Sequence, residues 1–128
     1  ISASVIDGGK EFPVNGTDLN TADGSPVRDF VHVTDVANAH VTCLENDIKG
    51  VYNLSSGRET SVWEVVREVV KLTNSDIEVA HQYKIKTDPT VLVGNSDKFT
   101  KVSGWEPSYN LGEILRTAYK SYKKVKKP

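Results

Sequence analysis

The chain has 128 residues, of which 38% are hydrophobic and 26% charged, and a formal net charge of -1. These values suit a single soluble globular domain, exclude a disordered chain and give no field that would draw it to nucleic acid or a membrane surface. A single cysteine, Cys43, excludes an internal disulfide and suits a cytoplasmic protein, and no apolar run is long enough for a membrane span.

The first seven residues, Ile1 to Asp7, read as the tail of a helix closed by Gly8-Gly9. Phe12 to Gly16 is a short extended piece entering a turn, and Thr17 to Pro26 is a polar loop. Val27 to Val33 alternates apolar and polar residues, which predicts a strand. Thr34 or Asp35 caps the following helix, with Val36, Ala37, His40, Val41 and Leu44 as its inner face. Val51 to Ser55 is a second strand between Gly50 and Gly57.

A capping box, Ser61-Val62-Trp63-Glu64, opens a helix with Val62, Val65, Val66, Val69 and Val70 on one face. Ile77 to His81 reads as a strand, Lys84 to Val93 as irregular, and Asn95 to Gly104 as a short helix carrying Phe99 and Val102. A second capping box, Asn110 to Glu113, opens the last helix, whose inner face is Ile114, Leu115, Ala118, Tyr119 and Tyr122. Strands alternating with helices predict an α/β fold in one domain spanning residues 1–128. The chain lacks methionine and begins at Ile1, which fits a region of a longer polypeptide.

Few residues carry chemistry of their own. His32, His40, His81 and Cys43 share no zinc-ligand spacing; the histidines fit strand and helix packing positions, and Cys43 a small core position. No P-loop, G-x-S-x-G elbow or G-x-G-x-x-G fingerprint is present. Neither a catalytic residue nor a metal ligand is therefore assigned. Arg28 is the informative residue: at the mouth of a strand fed by a polar loop it is either an anion clamp or a structural partner of Asp29 or Asp35.

The stretch from Asn20 to Ala37, NTADGSPVRDFVHVTDVA, resembles the T-x-D-G-T-x-x-R-D-Y-I-H-V-x-D-L-A signature of UDP-glucose 4-epimerases in the extended short-chain dehydrogenase/reductase family. Tyr52-Asn53-Leu54-Ser55-Ser56-Gly57 is similar to that family's Y-N-L-G-x-G, Ser61 to Val65 to S-V-x-E-V, Asp88-Pro89 with Asn95 to Lys98 to D-P-x-x-x-x-A-D-x-S-K, and Gly104 to Pro107 to G-W-x-P. The matches fall in family order over nearly the whole chain.

The resemblance implies a small C-terminal substrate-binding lobe without its Rossmann domain. In the whole enzyme that lobe would serve the interconversion of UDP-glucose and UDP-galactose through a 4-keto intermediate. NAD would be bound by the N-terminal Rossmann part, and the chain alone would be inactive. The partners implied are a UDP-sugar, that N-terminal part and a second copy in a homo-oligomer.

The resemblance further implies that Arg28 binds the diphosphate, that Phe30 forms a wall of the site, and that Val62 lines the uridine ribose site. It implies that Pro13 and Asn15 offer backbone groups to uracil, and that Asp88 bonds the nucleotide ribose. Lys84 and Lys86 flank Ile85, which stands where the family has an arginine, and Lys86 takes over its charge without its two-pronged geometry. Tyr119 and Lys123 match a Tyr-x-x-x-Lys pair by spacing alone, because they follow the sugar-nucleotide segment instead of preceding it. Two alternatives are a region of another sugar-nucleotide epimerase or dehydratase, and a stand-alone, non-catalytic nucleotide-sugar-binding module.

Overall fold

The computed structural model describes residues 11–76, 78–82 and 89–125. The expectations placed on residues 1–10, Lys84, Ile85, Lys86 and Asp88 lie outside the described residues. The described elements are β1 (Glu11–Asn15), β2 (Val27–Arg28), α1 (Val33–Glu45), β3 (Thr60–Ser61), α2 (Val62–Thr73), β4 (Glu78–Gln82), β5 (Val91–Leu92), α3 (Asp97–Ser103) and α4 (Leu111–Val125). The fold is α/β. Strands β1 and β4 pair in parallel, whereas β2 sits between antiparallel β3 and parallel β5.

Two apolar clusters hold the helices. Val69 of α2 packs on Leu111 and Leu115 of α4, with Phe30, Val65 and Leu72 around them. Ala39 of α1 packs on Phe99 of α3 and on Trp105, with Cys43, Tyr52 and Leu54 against them. The Phe99 ring is tilted against Tyr52 and Trp105 at 5.4 and 5.7 Å, separations at which edge-to-face contact is favourable.

Both N-caps form at the expected places, the second as a full reciprocal box. Ser61 Oγ accepts from the Glu64 amide at 3.0 Å. Asn110 Oδ1 accepts from the Glu113 amide at 3.0 Å, while the Glu113 carboxylate accepts from the Asn110 amide at 2.8 Å. Helix α3 ends at Gly104 in the left-handed region.

Four expectations are corrected. The strand predicted over Val27 to Val33 is two residues long, because beyond Arg28 the side chains of Asp29 and His32 bind backbone and hydroxyl groups off the ladder. The cap of α1 is His32, not Thr34 or Asp35: its backbone is extended and its Nδ1 accepts from the Thr34 amide at 3.0 Å.

The inner face of α1 is likewise not the one expected. Asp35 and Ala39 are buried with Cys43 half-buried, whereas Ala37 and His40 are exposed, as are Val41 (49%) and Leu44 (83%). The reason is polar. Asp35 accepts from the amides of Ser108 and Tyr109 and from the Ser108 hydroxyl, and its carbonyl accepts from Trp105 Nε1. Those partners turn the Asp35 face inward, since a buried carboxylate must be satisfied. Val51 to Ser55, expected as a strand, lies in none, and no strand pairs with it among the described residues.

Candidate functional site

Arg28 ends β2 opposite Thr60 of β3 and Leu92 of β5. It lines an open cleft of about 530 Å³ together with Asp29, Tyr52, Leu54, Leu92 and Gly94. Its Nη1 donates to the carbonyls of Val27 at 2.8 Å and Thr90 at 3.5 Å, which places the guanidinium against the strand backbone at the cleft wall.

The two carboxylates that compete for Arg28 as structural partners are engaged by other donors. Asp35 is held by Ser108 and Tyr109. Asp29 accepts from the Ser55 hydroxyl, from the Ser56 amide and hydroxyl at 3.1 and 2.8 Å, and from the Gly94 amide at 3.1 Å. Burial pushes the Asp29 pKa up, but these hydrogen bonds outweigh it and hold the carboxyl below its ordinary value.

The Thr21-x-Asp23-Gly24 loop anchors structure. Thr21 Oγ1 donates to the Ser25 carbonyl at 2.7 Å, and Asp23 accepts from the Ser25 amide and hydroxyl and from the Ser61 hydroxyl. Fully buried Ser25 in turn accepts from the Trp63 amide. The loop is thereby bonded to the first turn of α2, where Val62 donates its amide to the Pro26 carbonyl. Gly24 has φ +79°, and a Cβ there would meet the Thr17 carbonyl oxygen at 2.5 Å, so only glycine fits.

Of the residues singled out in the sequence, Arg28 lines the cleft. Val62 is half-buried at the start of α2, and Asn15 is exposed at the end of β1. Pro13 pairs with Ala80 in the β1–β4 ladder. Phe30 packs on the α2–α4 cluster. Lys86 and Asp88 lie outside the described residues.

Sequence reasoning missed Asp29, Ser55, Ser56 and Gly94 as a hydrogen-bonded group. The signal available was a glycine whose Cβ would sit 2.8 Å from that of Ser55, visible only once the segments meet. Tyr119 and Lys123 pack on each other, the Nζ lying 4.6 Å from the ring centroid, which is ordinary helix-surface packing. Strand β2 reaches α1 through Asp29 to His32, β3 runs straight into α2, and β5 reaches α3 through Val93 to Ser96.

A family model described as GDP-mannose 4,6 dehydratase matches residues 14–118. The chain belongs to that family. Among its relatives, a UDP-glucose 4-epimerase of Rhizobium meliloti is 38% identical over 112 residues, covering 84% of this chain and 34% of the relative. The structure of UDP-glucose 4-epimerase from Bifidobacterium longum in complex with NAD+ and UDP superposes with a TM-score of 0.85 at 31% identity, over 95% of this chain and 38% of that one. The UDP-Glc/GlcNAc 4-epimerase of Campylobacter jejuni superposes with a TM-score of 0.84 at 30% identity, over 95% and 39%. The chain therefore spans about a third of the length of the family members it matches.

Proposed function

We propose that this chain is the nucleotide-sugar-binding region of an NAD-dependent UDP-glucose 4-epimerase. The observation that carries the reading is Arg28 at the wall of an open cleft, in a chain similar along most of its length to UDP-glucose 4-epimerases. A guanidinium there offers parallel charge-assisted bonds to diphosphate oxygens. Lys86 adds charge, Asp88 meets the nucleotide ribose, and Val62 lines the uridine ribose. Pro13 and Asn15 present backbone to uracil, and Phe30 backs the wall. Hydride exchange at the sugar C4, through a 4-keto sugar, is the chemistry NAD supplies when bound by the N-terminal Rossmann part. The contribution of this chain is binding and orientation, so alone it turns over nothing.

The surface supports a partner of that kind. Val33 (73% exposed), Val41 and Leu44 follow one another at helical spacing along α1, and Val51 is 85% exposed. An apolar stripe of this sort is ordinarily covered, and the family members that the chain matches are about three times its length. The Rossmann part of the same enzyme is the occupant we assign to it. The complete enzyme is cytoplasmic, homo-oligomeric and active in galactose metabolism. No described helix is long and apolar enough to cross a membrane.

The test is made on the full-length polypeptide that carries this region. It interconverts UDP-galactose and UDP-glucose, whereas the 128-residue chain given the same substrate and NAD does not. Arg28→Ala weakens UDP binding by about 2–4 kcal/mol with NAD affinity unchanged, on the scale of two charged hydrogen bonds discounted for solvent. Arg28→Lys recovers part of that loss. A lowered melting temperature with UDP affinity intact would make Arg28 a strut instead. The family description favours a second reading, a sugar-nucleotide dehydratase, and a dehydrated product from the same assay would select it.

A further inference from the structure

The Asp29 carboxylate is an odd neighbour for a site that binds an anion. It lines the same cleft as Arg28, and an uncompensated carboxylate there would repel a diphosphate. Its hydrogen bonds leave the charge in place but commit the carboxylate to the protein. Oδ1 accepts from the Ser56 amide and hydroxyl, and Oδ2 from the Ser55 hydroxyl and the Gly94 amide. A carboxylate has about four lone-pair directions, and all four are taken by donors on two other segments. Gly94 approaches so closely that a Cβ on it would sit 2.8 Å from the Ser55 Cβ and 3.4 Å from Asp29 Oδ2. Ser55 is itself buried, and its carbonyl accepts from the Ser96 hydroxyl. The strand bearing Arg28 is only two residues long, so its ladder alone holds the arginine backbone weakly. The residue immediately after it is the one that ties the chain to both facing walls.

We propose that Asp29 is the positioning residue of the anion site: its saturated carboxylate locks the backbone that carries Arg28 to the cleft walls at Ser55-Ser56 and Gly94. The assignment rests on the reading of this cleft as the diphosphate site. Asp29 does not touch the ligand. Its effect is transmitted through Arg28, and is confined to the phosphate part of the nucleotide.

Isothermal titration of the full-length polypeptide with UDP, and separately with uridine, tests this. Asp29→Asn places an amide N–H2 against the donors of Ser55, Ser56 and Gly94. It is expected to weaken UDP by about tenfold and uridine by less than about twofold, the loss of one well-placed charged contact. Ser56→Ala, a milder change that removes one of the four bonds, moves UDP affinity in the same direction by a smaller factor. It also keeps the test intact if Asp29→Asn does not fold. In an Arg28→Ala background Asp29→Asn costs no further UDP affinity, because the two act as one unit. UDP and uridine weakening together, or losses from Arg28 and Asp29 that add, would overturn the positioning role. Wild-type protein that binds neither UDP nor uridine overturns the site reading, and this assignment with it. Wild-type binding of UDP with an unaffected Asp29→Asn overturns this assignment alone.

Discussion

Asp23 and Asp29 lie on either side of β2: Asp23 accepts from the nearby Ser25 amide and hydroxyl and from the distant Ser61 hydroxyl, whereas Asp29 accepts from hydroxyls and amides of the distant Ser55-Ser56 and Gly94 segments. For Asp23, burial pushes the pKa up, and hydrogen bonds from Ser61 and Ser25, with the nearby Arg67, outweigh it and bring the value down. Asp29 behaves alike. The folded pKa of each is below the unfolded one, so between the two values the unfolded chain binds more protons. Stability from these groups is complete above the unfolded carboxyl pKa, about 3.9, and is lost as pH falls through the lower folded values. Urea midpoints measured from about pH 5 to pH 2.5 should fall steeply below about pH 4, and Asp23→Asn with Asp29→Asn should flatten that slope. An unchanged slope in the double variant would place the acid sensitivity elsewhere.

Among the elements, α2 and α4 start where their side chains say they should. Asn110 and Glu113 bond each other's backbone amides, so α4 has a complete reciprocal cap. Asn110→Ala should lower stability by about 1 kcal/mol, read as a shift in urea midpoint at constant slope. A shift below a few tenths would mean that packing of Leu111 and Leu115 alone sets the start of α4. The capping boxes were legible because an N-cap is a contact between residues three apart, fully specified by local sequence. The cap of α1 was not. His32 competes with Thr34 and Asp35 for that role, and only the burial of Asp35 against Ser108 and Tyr109 decides it.

At the scale of the whole molecule, Val33, Val41 and Leu44 along α1, with Val51, are among the exposed large apolar side chains. The isolated chain should self-associate through them, or purify with a partner. Sedimentation over a wide concentration range should show a rising mass that Val41→Glu with Leu44→Glu abolishes. A monomer at every concentration would count against an interface at this face. Val51 to Ser55 reads as a strand by composition, yet it lines the cleft together with Arg28 and Leu92 without joining their ladder.

By itself the sequence determined the α/β class and the positions of the described helices, since periodicity and capping are local properties of the chain. Tertiary structure alone decided which face of α1 turns inward, where β2 stops and how the Asp29 carboxylate is satisfied. Each of those outcomes depends on polar groups tens of residues apart meeting in space, and the cost of burying such groups unpaired overrides the apolar pattern that the sequence displays.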